Sequence, residues 1–211
     1  MFPFDAEVLD SSYALYNAAV WPAQAVALAL ALIAVWLSVW LRPGAGRAVG
    51  VLLAAGWLWC GLVFFPRYLA QLDFMAPVYG WAFVTQAGLL LWALVWRPLR
   101  PRAPARAAGV AGLALAFLAV CGLPLVSGLG EAGFAAARVV GIAPGPTVIF
   151  TLALLLLAEG RVPRLLLIVP LLWCGVAAVT GWTLGVPESL AVVLLALPAV
   201  GLLLWPARRP G

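Results

Sequence analysis

The chain has 211 residues, 66% hydrophobic and 9% charged, with a net charge of +5, no His, and Arg at every one of its 12 basic positions. A soluble domain carries about 25% charged residues, so this chain cannot cover a water-facing surface, and lipid is the solvent that suits its mean hydropathy of +1.14. Without Lys there is no retinal Schiff base, and without His there is no imidazole metal site or imidazole base. No CxxC, Walker loop or paired intramembrane carboxylates occur, so neither an enzyme nor a cofactor is expected.

Lipid requires the backbone to satisfy its own hydrogen bonds, in helices or a closed barrel. Unbroken apolar runs such as Val26 to Val35 select helices, because barrel strands alternate. The expected fold is an all-α integral membrane protein forming a single domain over residues 1–211. Residues 1–18, with Tyr13 and Tyr16, read as an interfacial segment capped by Asp10 or Ser11. Asp5, Glu7 and Asp10 are the opposite of a basic signal sequence, so the first span is expected to be retained.

A spanning helix needs roughly 17 to 25 apolar residues. Seven runs qualify: Ala19 to Leu41, Ala48 to Phe65, Met75 to Trp96, Ala107 to Gly128, Val139 to Ala158, Val162 to Thr183 and Pro187 to Trp205. Gly141, Pro144, Gly145 and Pro146 crowd the start of the fifth, which predicts either a broken or re-entrant start or an ordinary proline-bearing first turn. Ten arginines fall after the odd-numbered helices, leaving Arg67 and Arg138 on the other side with every carboxylate except Glu159. The positive-inside rule then predicts N-out, C-in. Arginines in short loops, not along one face, argue against nucleic acid as a partner. Trp21, Trp40, Trp96, Trp182 and Trp205 suit an interfacial belt, whereas Trp57, Trp59 and Trp173 fall mid-helix.

Leu58-Trp59-Cys60-Gly61 recurs as Leu172-Trp173-Cys174-Gly175, and at the same offset Gly46-Arg47 matches Gly160-Arg161. This predicts a 3+1+3 parallel repeat, with repeat one over 19–96, a linker helix over 107–128 and repeat two over 139–205. The layout resembles that of small sugar-efflux and Pro-Gln-loop carriers, with Pro22-Ala23-Gln24 and Pro146-Thr147 standing where those carry Pro-Gln. The segments 16–24, 141–147 and 170–174 also resemble a bacterial family of multi-pass membrane proteins classed as a domain of unknown function. That family usually has Asp where this chain has Gly145. The resemblance implies a bacterial inner-membrane location and, from a label some relatives bear, a permease.

The candidate site follows from the repeat. Trp59 and Trp173 would wall a midplane site for a small neutral or weakly polar solute, with Gln24, Gln86, Pro146 and Thr147 as polar or irregular neighbours. Packing, with Cys60 and Cys174 as small neighbours, is the leading alternative for the two rings, and the polar side chains also read as interhelical hydrogen-bond glue. A third reading makes Cys60 and Cys174 soft-metal ligands. Two functions are expected from these features: a permease or facilitator, or a non-catalytic accessory subunit of a larger membrane complex. The partners expected are the bilayer and either a solute or other membrane subunits.

Overall fold

The computed structural model describes residues 5–39, 45–95, 100–101, 107–130, 132–159 and 162–204. Most of the described residues are helical, and a two-residue antiparallel pairing joins Arg100–Pro101 to Ala158–Glu159. Helices occupy all seven apolar runs, preceded by α1 (Ala6–Ala19). The Asp5 carboxylate caps α1 by accepting from the Val8 N–H at 2.9 Å. Leu9, Tyr13 and Tyr16 form its buried stripe. Helix α2 (Ala23–Val39) leaves α1 at 87°, after Pro22 has removed an amide hydrogen from the ladder.

The next helices are α3 (Ala45–Gln71), α4 (Ala76–Leu90, continued by a π turn over Leu91–Val95) and α5 (Ala107–Gly128). Helices α3 and α5 share a device. Each contains a π turn, Cys60–Phe64 and Leu118–Gly122, ending two residues before a proline, Pro66 or Pro124. A helical proline donates no hydrogen bond and its ring pushes on the carbonyl four residues back, and a widened turn relieves that crowding.

Helix α6 (Pro144–Leu156) is the centre of the molecule. All its residues except Gly145 are buried, as expected for a helix apolar all round. It packs on α5, α8 and α3. At about 1.5 Å per residue its 13 residues span about 20 Å, short of the roughly 30 Å hydrocarbon layer. The chain approaches it through buried Val139, Val140, Ile142 and Ala143, turning at Gly141 with φ +85°, where a side chain would be strained. Ala143, at the helix start, has no capping side chain. Thr147 substitutes, accepting the Gly141 N–H at 2.8 Å and donating to the Ala143 carbonyl at 2.6 Å. Helices α7 (Arg164–Leu184) and α8 (Pro187–Leu204) complete the bundle as a hairpin.

Among the described residues four helices, α3, α5, α7 and α8, are long and apolar enough to cross a membrane, or five spans if the bent α1–α2 pair counts as one. The two halves differ in packing order. In the first triplet α3 lies between α2 and α4, whereas in the second the last helix, α8, packs on both α6 and α7. The repeat expected from the Leu-Trp-Cys-Gly match is therefore not reproduced in the helix contacts. The match is local: Cys60 opens a π turn, while α7 is regular through Cys174. Trp40, Trp96, Trp205 and seven of the arginines used to orient the chain, including Arg42, Arg97 and Arg208, lie outside the described residues.

Candidate binding site

The structure separates the two tryptophans expected to face each other. Trp59 is half-buried, and its indole N–H donates to the Tyr16 hydroxyl at 2.7 Å, which donates in turn to the Ile142 carbonyl at 2.9 Å. Its ring, with Thr147, lines an apolar groove of about 440 Å³ between α2, α3 and the approach to α6. Trp173 lies elsewhere, edge-on to Phe65, Tyr79 and Phe83 with ring centroids 5.5, 5.9 and 5.4 Å away. The two rings thus line different cavities. The mid-helix indole that is packed completely is Trp57, which donates to the Thr151 hydroxyl at 2.8 Å.

The other expected residues serve as interhelical and turn contacts. Gln24 donates to the Asn17 carbonyl at 2.6 Å across the α1–α2 bend. Gln86, fully buried, donates to the Leu166 carbonyl at 3.0 Å and ties α4 to α7. Pro146 is buried in the first turn of α6. Cys60 sulfur lies 3.9 Å from the Thr147 hydroxyl, and Cys174 is buried on α7. Among the described residues no three Cys, Asp or Glu side chains form a metal-binding group.

A different constellation stands at one end of the bundle, where α3, α5 and α7 finish and α4, α6 and α8 begin. Arg138, in the approach to α6, is 3% exposed. Its guanidinium bonds Asp10 of α1 at 2.9 Å and Glu188 in the first turn of α8, and it sits 4.6 Å from the centroid of the Tyr13 ring. The two carboxylates offset the cost of burying the guanidinium charge. Gly145 makes room for the pair: a Cβ there would lie 2.7 Å from Glu188 Oε1.

This cluster borders a cavity of about 50 Å³, lined by residues that include Tyr13, Asp73, Arg138, Trp173, Thr180 and Glu188. Five buried side-chain polar atoms among the described residues have no hydrogen-bond partner within the protein, and three of them, Arg138 Nε, Glu188 Oε1 and Trp173 Nε1, belong to residues lining this one cavity. Native proteins leave few such groups, so three of them on residues around one cavity mark it as the candidate site. Trp173 is the one expected residue that contributes. Arg138 and Glu188 were legible only as charges on the outer side of the bundle; a lone Arg just ahead of an apolar run, and a carboxylate behind a helix-starting Pro, were the available signals.

A family model described as a family of unknown function (DUF6064) matches residues 6–211. No curated protein and no solved structure matches the chain.

Proposed function

We propose, for a chain that belongs to the DUF6064 family and inherits no mechanism from it, a non-enzymatic facilitator of small polar solutes in a bacterial inner membrane. The observation that carries this reading is a cavity at one end of a helical membrane bundle, bordered by three residues that each hold a buried polar atom without a partner. Packing alone has no use for such a cavity, since buried polar groups without partners cost about 1–3 kcal/mol each, whereas a binding site uses them.

The reading includes seven crossings, N-out and C-in. Helices in all seven runs support it, and so does the alternation that gathers Asp10, Asp73, Arg138 and Glu188 at one end. Exposed Trp21, Phe74, Phe134 and Trp182 gather at that same end, as an aromatic belt at a membrane boundary would. The short α6 completes its crossing with the buried, irregular stretch 137–143, a backbone tolerated at depth when enclosed by protein. With α2 crossing, the 87° bend lays α1 along the surface, over the cavity. The site thereby moves from the midplane to the outer mouth.

The test is stopped-flow light scattering of proteoliposomes given osmotic gradients of small polar solutes. Faster swelling than in protein-free vesicles, abolished by Arg138→Gln, supports a facilitator. Equal swelling rates for every solute would refute it, and stable co-purification with another membrane protein would then favour the accessory-subunit expectation.

A further inference from the structure

The chemistry around the cavity narrows the solute. Asp73 and Glu188 line it and Asp10 holds the far side of Arg138, so three carboxylates stand against that single guanidinium, and the exposed Arg67 makes no ion pair with them. An anion would meet net repulsion. The unpartnered atoms argue equally against a simple cation, because two of the three, Arg138 Nε and Trp173 Nε1, are N–H donors that a cation cannot satisfy, while only Glu188 Oε1 is an acceptor. Satisfying all three takes one molecule that accepts two hydrogen bonds and donates one. Size adds a limit: about 50 Å³ is a third of the ~150 Å³ cavity that holds benzene, which leaves room for a few heavy atoms.

The geometry points to a compact neutral amide or urea as the ligand. Its carbonyl oxygen, with two lone pairs, accepts from Arg138 Nε and Trp173 Nε1, and its N–H donates to Glu188 Oε1. Further N–H groups can turn to Asp73, whose Oδ1 accepts the Met75 amide at 2.8 Å and whose carboxylate lines the same space. The three unpartnered atoms are almost wholly covered, so binding requires a small turn of these side chains toward the cavity. Gly145 supports the arrangement, since any side chain there would strike Glu188 Oε1.

This inference rests on the facilitator reading for flux but not for binding, and binding is what the experiment reads. The probe is acetamide, followed by saturation transfer from the full chain in nanodiscs to its methyl protons. Transfer should titrate on the order of millimolar, since four heavy atoms cannot supply more than a few kcal/mol. Trp173→Phe keeps a ring against Phe65, Tyr79 and Phe83 while removing the N–H with a part of the indole; it should weaken binding about tenfold, the equivalent of one hydrogen bond. Urea should compete with acetamide, and N,N-dimethylacetamide, which has no N–H, should not. Absence of transfer, equal affinity in Trp173→Phe, or displacement of acetamide by dimethylacetamide would each overturn the assignment. Because the competition arms use the unaltered chain, the assignment stays testable even if the variant does not fold. Acetamide binding without proteoliposome swelling would leave the ligand class standing and end the facilitator reading.

Discussion

Arg138 is the side chain whose loss should unbalance the most structure. It is bonded to Glu188, and both side chains are 4% exposed; Asp10, the other partner, keeps 21%. Replacing Arg138 with Met leaves Glu188 as a buried unpaired charge, and breaking a buried pair from one side costs about 3–5 kcal/mol. Asp10 adds little, because it can turn to water. Glu188→Leu should cost slightly less, since Arg138 retains Asp10 and the Tyr13 ring 4.6 Å away. The double replacement removes both desolvated charges together, and apolar substitutes for a buried pair are often neutral, so its cost should be under about 1 kcal/mol. The assay is SDS-titrated unfolding in mixed micelles, read by intrinsic fluorescence, arranged as a double-mutant cycle. If Arg138→Met loses less than about 0.5 kcal/mol, or if the two single costs simply add in the double variant, the pair is not the buried, coupled unit described here.

Gly141→Ala places a side chain at φ +85° beside the close approach of Gly56, and should destabilise by at least about 1–2 kcal/mol in the same titration. Trp57→Phe removes the bond to Thr151 and should cost about 1 kcal/mol, with little effect on acetamide binding; a large binding loss would show that the two regions are coupled. Gly145→Ala should displace the Glu188 carboxylate and reduce ligand affinity more than it reduces stability, a ratio read by running both assays on one preparation. Cysteines introduced near Asp5 and Ala207 should label from opposite faces in oriented vesicles, and labelling from the same face would end the odd-numbered span count.

The helices were legible because each is bounded by chemistry visible in the chain. The run Ala107 to Gly128 coincides with α5 as found, since Pro- and Arg-rich sequence precedes it and Gly128 ends it. Helix α6 was less legible. Its prolines announced an irregular start, but its shortness depends on the Thr147 hydroxyl capping Gly141 and on stretch 137–143 being buried, both of which are tertiary facts. The repeat misled for a related reason. Four matching residues fix the local sequence of two helices, not the neighbours each acquires, and α3 widens into a π turn where α7 does not. Of the three mid-helix tryptophans, Trp57 is the one that is fully buried, with its N–H on Thr151, and the sequence did not distinguish it from Trp59 and Trp173. Arg138 and Glu188 stand 50 positions apart, and counting charges by side of the membrane carries no information about depth. Only the inward fold of the approach to α6 buries them together.

The brevity of α6 has a consequence for how the molecule is made. Thirteen residues with two prolines in the first turn form too short a stretch for the insertion machinery to release sideways into lipid as an independent segment. Its partners arrive from both directions in time: α5 has already emerged, but α8 is the last helix of the described chain. A chain truncated after Leu157 should therefore hold α6 loosely and open to protease, and the full chain should protect it once α8 has followed. The centre of the protein would be the last part to settle.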